Sequence, residues 1–258
     1  MNSEPDAGKK LAPMARCWRW FQANIRSVSG PPPMVLDRPV VPATVFCDFD
    51  GTITPVDTFD LLMEDAYGDF WRRLKGDLLC FRVTLREAMD QLGAVLTARH
   101  LAAMERRMAT FVPRPGFLRF LDAMDRAGIP VVVVSGGFLP LVEAVLHEHR
   151  HRFRAIIAGL PVPQNHGGTR HHVHSPYSSE EELVAKALVM EAYGQGHTIA
   201  VGDGITDVRM AAAADTVFAR DVLAGLLTER GTHFHPWHDF DDVLRLLMEM
   251  GLVTPPGP

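Results

Sequence analysis

Three short apolar runs, at 43–47, 130–134 and 198–201, are each followed at once or within two residues by a polar group: Asp48, Ser135 and Asp203. Runs of four or five β-branched and small apolar residues read as buried strands, and two more lie at 155–157 and 216–219. Between them stand stretches of helical period at 115–127, 139–149, 180–193 and 207–214. Strands alternating with helices predict an α/β fold with a doubly wound, Rossmann-like parallel sheet. Ligands in such sheets bind beyond the carboxyl ends of the strands, so Asp48, Ser135 and Asp203 are expected on one edge.

The segment 55–113 breaks the alternation, with helical patterns at 58–67, 84–96 and 98–109. It predicts a small helical cap, residues 57–113, inserted after the first strand of a core made of residues 41–56 and 114–250. Residues 1–40 are rich in Pro, Ser and Arg and read as an extension, with Gly30, Pro31, Pro32 and Pro33 as a linker. Within it, Trp18, Trp20 and Phe21 mixed with Arg16, Arg19 and Arg26 could form a basic amphipathic helix, although a loose tail fits as well. A chain of 258 residues, 47% hydrophobic, can bury a full core. Its net charge of -5 gives no footprint for nucleic acid, and no apolar run reaches membrane-spanning length. Cys17, Cys47 and Cys80 are odd in number and irregularly spaced, which argues against a disulfide framework and for a reducing cytoplasm.

Asp48 and Asp50 are two residues apart at the end of a strand, so their side chains project together, and Gly51 permits a sharp turn behind them. Such a pair is unfavourable unless a cation or a proton lies between the carboxylates. A divalent cation and a phosphoryl group resolve the conflict, with one carboxylate attacking phosphorus and the other moving a proton. The plainer alternative is an Asp-x-Asp turn at a strand end.

The stretch Asp48-Phe49-Asp50-Gly51-Thr52, then Ser135, Lys186, and Gly202-Asp203-Gly204-Ile205-Thr206-Asp207 resembles, in that order, the haloacid dehalogenase superfamily of phosphohydrolases. The position of the insert resembles the phosphoserine-phosphatase-like branch. The resemblance implies Asp48 as nucleophile and Asp50 as the acid that protonates the leaving alcohol and then the base that activates water. It implies Mg2+ held by the Asp48 side chain, the Asp50 carbonyl and Asp203, with Asp207 supporting the metal or the lysine from behind. Ser135, with the Gly136 and Gly137 amides, would hold phosphate oxygens at a helix N-terminus. Lys186 would offset charge on the phosphoryl group, and Gly51 and Thr52 would close the phosphate loop. A carboxylate at position 50 fits neither the dehalogenases nor the P-type ATPases of the superfamily.

For the substrate, Asp57 lies nine residues after Asp48, where phosphoserine phosphatases carry a glutamate, and Arg86 precedes Glu87 where a following arginine is expected. The stretch from Phe46 to Thr54 with Asp57, together with Val217-Phe218-Ala219-Arg220-Asp221 and His235-Pro236-Trp237-His238-Asp239-Phe240, resembles the methionine-salvage phosphatases. These act on 2-hydroxy-3-keto-5-methylthiopentenyl-1-phosphate. The chain departs from them between Gly159 and Glu182, where histidines such as His166, His171, His172 and His174 replace cysteines. The expected partner is a small-molecule phosphate ester, either that one, phosphoserine or another monoester, and a homodimer stands as one assembly the sequence leaves open. A phosphotransferase and a non-catalytic binding module built on the same fold are the alternatives. Transition-metal binding by the histidine groups, or an apolar thioether pocket lined by Met63, Met89, Met104 and Met108, stands beside surface placement and core packing as readings of those residues.

Overall fold

The computed structural model describes residues 41–164 and 170–254. The expectations for residues 1–40 and for His166 lie outside them. Seven strands form one sheet in the order β4-β3-β2-β1-β5-β6-β7: β1 Ala43–Cys47, β2 Val131–Phe138, β3 Ala155–Pro163, β4 His171–His174, β5 His197–Gly202, β6 Thr216–Ala219 and β7 His235–Pro236. Every pairing is parallel except β3 with β4, which is antiparallel. β1 is the central strand, fully buried along its length, as a parallel strand covered on both faces must be. Its register places Cys47 opposite Val133 of β2 and Val201 of β5. The residues that follow those three, Asp48, Ser135 and Asp203 among them, therefore leave the sheet at one edge.

Ten helices accompany the strands among the described residues. Four lie between β1 and β2: α1 Thr58–Tyr67, α2 Asp69–Leu79, α3 Leu85–Val95 and α4 Ala98–Met108. The rest are α5 Phe117–Ala127, α6 Leu139–Leu146, α7 Lys186–Tyr193, α8 Val208–Ala213, α9 Asp221–Glu229 and α10 Phe240–Glu249. Local chemistry sets several ends. Asp57 accepts the Asp60 amide at the start of α1, and Thr84 and Glu87 exchange hydrogen bonds at the start of α3. α5 stops at Gly128, whose φ of 64° suits a residue without Cβ.

Four differences from the sequence expectations stand out. β2 runs on past Val134 to Phe138, with a register irregularity against β3 between those residues. β3 runs on to Pro163 and folds back on β4, whose alternation puts His171 and Val173 inside and His172 and His174 outside. α7 begins at Lys186 rather than near 180, because the preceding loop is held by Ser179 N–H to Glu182 O at 2.8 Å and Ala185 N–H to Tyr177 O at 2.8 Å. α2 was not expected, and it ends with the Arg82 amide donating to Asp77 O at 2.9 Å. That closure puts Phe81 at φ 55°, in the left-handed conformation that helix ends ordinarily give to glycine.

The helical insert is fastened to the sheet at two places. α3 lies on β4 so closely that a Cβ on Gly93 would come within 2.8 Å of His171 O, and His171 Nδ1 donates to Leu96 O at 2.7 Å. The entry and exit of the insert run side by side, with the Arg114 amide donating to Ile53 O at 2.7 Å.

Candidate active site

β1 delivers Asp48, whose amide still donates to Val201 O at 2.9 Å, as if the ladder continued for one more residue. The chain then turns through Phe49–Ile53, with Gly51 at φ 79°. The turn needs glycine for a second reason: a Cβ there would stand 2.3 Å from Asp203 Oδ2. Thr52 Oγ1 donates to the other oxygen of Asp203 at 2.7 Å. Beneath the turn is the buried guanidinium of Arg114, which donates to Gly51 O at 2.5 Å, Thr52 O at 2.9 Å, Thr54 O at 3.2 Å and Pro55 O at 3.3 Å. It also reaches His238 O at 3.4 Å and lies over the Trp237 ring at 5.4 Å, while Arg220 lies 5.3 Å from the same ring. Neither Arg114 nor this set of carbonyls had a signature in the sequence.

Lys186 is the first residue of α7 and only 1% exposed, and its ammonium joins Asp48 Oδ1 at 2.5 Å to Asp207 Oδ1 at 2.6 Å. Asp207 spends its second oxygen on the amides of Asp203 at 3.0 Å and Gly204 at 2.9 Å. One carboxylate oxygen from each of Asp48, Asp203 and Asp207 lies within 4.8 Å of the others. Among the described residues this is the one group of three or more His, Cys, Asp or Glu side chains close enough to share an ion. Burial, then the charge of Asp207, pushes Asp48 and Asp203 up from the ordinary carboxylate range; burial would lower Lys186, but the charges of Asp207 and Asp48 outweigh it and raise the ammonium, holding it protonated. Three carboxylates against one ammonium leave two negative charges uncompensated. Hard oxygen donors with that surplus fit a small divalent cation such as Mg2+.

Asp50 is held apart from this cluster. The Thr58 hydroxyl and the Phe59 amide, at 3.0 Å for the latter, both donate to Asp50 Oδ1, so the carboxylate sits on the N-terminal turn of α1. Ser135 Oγ donates to Oδ2 at 3.3 Å. Burial first, and then the charge of Asp57, raise its pKa to about 7. Thr58 and the Phe59 amide were missed in the sequence, although Asp57 as a helix-capping residue marks where α1 starts.

The remaining expected residues are placed as follows. Ser135 is fully buried and also accepts the Gly137 amide at 3.0 Å. Gly136 and Gly137 belong to β2, and the cap of α6 is Phe138, followed by Leu139 and Pro140. These amides therefore stand at an irregular strand end, directly before the cap of α6. A Cβ on Gly136 would meet nothing within 4 Å, which leaves its surroundings open. Asp57 is exposed at the start of α1, with one oxygen on Asp60 N at 2.8 Å.

The family model for haloacid dehalogenase-like hydrolases matches residues 45–212, which contain every residue of this arrangement except the segment after β6. The chain belongs to the haloacid dehalogenase-like hydrolases. A 2-hydroxy-3-keto-5-methylthiopentenyl-1-phosphate phosphatase of Microcystis aeruginosa is 35% identical over 204 residues, covering 79% of this chain and 97% of the relative. One of the same name from Geobacillus kaustophilus is 28% identical, covering 81% of this chain and 97% of the relative. In fold, this hydrolase is similar to a phosphoserine phosphatase solved with a phospho-aspartyl intermediate analogue, with a TM-score of 0.58 at 18% identity, covering 81% of this chain and 99% of that one. Family and relatives together make this haloacid dehalogenase-like hydrolase a phosphatase. Among the described residues no helix is long and apolar enough to cross a membrane.

Proposed function

We propose that the enzyme hydrolyses a small phosphate monoester through an aspartyl phosphate on Asp48, with 2-hydroxy-3-keto-5-methylthiopentenyl-1-phosphate as the substrate its relatives' names bring to it. One observation carries the chemistry: two aspartates at the end of one strand are given opposite surroundings, Asp48 against an ammonium and two carboxylates, Asp50 against a helix N-terminus and two hydroxyls. Environments that separate the behaviour of paired carboxyls mark a division between nucleophile and acid.

In this reading Lys186 fixes Asp48 in one orientation, and a carboxylate oxygen of Asp48 attacks phosphorus while the ester oxygen leaves. Asp50 donates a proton to the departing alkoxide, and the pKa near 7 leaves it able to do so at neutral pH and to take a proton back from water in the second step. Ser135 and the Gly136 amide supply donors to the phosphoryl oxygens. Asp48, Asp203 and the Asp50 carbonyl would hold Mg2+, which supplies charge neutralisation at the phosphoryl oxygens. Asp207 orients Lys186 and the Asp203 backbone from behind. The helical insert serves as the cap that excludes water.

A phosphoserine substrate lacks a corresponding support, because Arg86 is spent on Ser179 O at 3.0 Å. The proposal places the enzyme in the cytoplasm, consistent with the free thiols of Cys47 and Cys80. Phosphate release from p-nitrophenyl phosphate is expected to require Mg2+ and to fall by at least about a thousandfold in Asp48→Asn. Turnover without a divalent ion, or a variant as active as the parent, would overturn it.

A further inference from the structure

The chain returns from the helical insert to the core through Arg114, which is 8% exposed. Its amide donates to Ile53 O and its guanidinium to the carbonyls of Gly51, Thr52, Thr54 and Pro55, so every carbonyl from 51 to 55 turns to this one residue. Among the described residues the acceptors of the guanidinium are all carbonyls, that of His238 included. A buried cation without a counter-charge is costly unless its donors are filled, and a planar fork of donors is filled only when the acceptors come to fixed places. A trans peptide points its N–H opposite to its C=O, so the amides of Thr52 and Ile53 face away from Arg114. The orientation of the turn is thus set from behind.

Arg114 is itself braced. Trp237, 2% exposed, has the Arg114 guanidinium 5.4 Å and the Arg220 guanidinium 5.3 Å from its ring centroid, and both arginines donate to His238 O, at 3.4 Å and 2.9 Å. Two cations so placed repel, and the shared indole and carbonyl offset that cost. Arg220 follows β6 directly, and its amide donates at 3.3 Å to the carbonyl of Gly202, the residue before Asp203. Contacts therefore run unbroken from the turn at 51–55 through Arg114, Trp237 with His238, and Arg220 to the strand end that carries Asp203. On the other side of the same junction, Thr52 Oγ1 meets Asp203 at 2.7 Å.

We propose that Arg114 is a positioning residue of the phosphatase, which, braced by Trp237 and Arg220, holds the turn behind Asp48 in place against Asp203. The inference rests on the phosphatase reading above and gives work to the segments at 217–221 and 235–240, which that reading leaves idle. The contacts of Arg114 are to backbone and to an indole, so its loss displaces reacting groups without removing one.

The test uses the full chain with p-nitrophenyl phosphate at saturating Mg2+, in the parent, Arg114→Lys, Arg114→Ala and Arg220→Met. Arg114→Lys keeps the charge and loses the fork; it is expected to lower kcat about thirtyfold, with KM and melting temperature close to the parent's. Added methylguanidinium is expected to raise kcat of Arg114→Ala about fivefold and to leave the parent unchanged. Arg220→Met alters a side chain 21% exposed and is expected to fold and to lower kcat about fivefold at unchanged KM. Should neither Arg114 variant fold, Arg220→Met decides alone. Parental kcat in Arg114→Lys and Arg220→Met, a lowered melting temperature as the only change, or a raised KM at parental kcat overturns the assignment while leaving Asp48 chemistry intact. A folded Arg114→Ala that methylguanidinium does not rescue overturns it too. Phosphate release that persists in Asp48→Asn would instead remove the phosphatase reading and this inference with it.

Discussion

At the scale of single residues, the site is governed by close approach. Gly51 brings backbone where any side chain would collide, with a Cβ only 2.3 Å from Asp203 Oδ2. Gly51→Ala is therefore expected to shift Asp203 away from Asp48 and to lower kcat/KM by about a hundredfold, while circular dichroism shows the fold retained. Parent-like turnover would mean the turn can relax without disturbing the carboxylates. Asp48, Asp50, Ser135 and Asp203 stood out as polar groups where apolar runs end, whereas Lys186 was expected only from the resemblance to the family. Arg114 was not legible. Its partners are carbonyls of residues 51–55, roughly sixty positions earlier, and a carbonyl leaves no trace in a sequence. The Thr58 and Phe59 contacts to Asp50 were hidden for the same reason: one is a backbone amide, the other a hydroxyl that could equally serve its own helix.

At the scale of elements, local chemistry sets the start of α3, whereas β4 exists only through its pairing with β3. The Thr84-x-x-Glu87 pattern is a capping box in fact, with Thr84 N–H to Glu87 Oε2 at 2.7 Å and Glu87 N–H to Thr84 Oγ1 at 3.1 Å. Thr84→Ala is expected to cost about 1 kcal/mol, seen as a lower urea midpoint at unchanged slope. A midpoint unmoved within error would show that α3 is held by β4 rather than by its cap. β4 escaped reading because four residues with three histidines lack a strand's composition, and only the pairing with β3 makes them one. α2 escaped because Gly76 lies inside it and the sequence Trp71-Arg72-Arg73 masks its period, although Trp71 and Leu74 are its buried contacts.

At the scale of the whole molecule, the parallel core was legible because its strands are buried on both faces and so read as unbroken β-branched runs. The carboxylate cluster at its edge couples the fold to ion binding. With three carboxylates, Asp48, Asp203 and Asp207, set against the single ammonium of Lys186, the folded chain is expected to bind a divalent ion that the unfolded chain does not gather. Mg2+ at a hundred times its dissociation constant is expected to add about 2.7 kcal/mol of stability, read as a higher melting temperature than in EDTA, and Asp203→Asn is expected to remove most of that gain. An unmoved melting temperature in the parent would refute the charge argument.

The central place of β1 has a further consequence for how the chain reaches this state. One flank of β1 is completed by residues 131–133, but the other waits for residues 197–201, so during synthesis the strand leading to Asp48 presents a bare row of amides and carbonyls until about 150 further residues have been added. An exposed apolar edge of that kind invites pairing with a neighbouring nascent chain, and a ribosome stalled midway would release a fragment prone to clump.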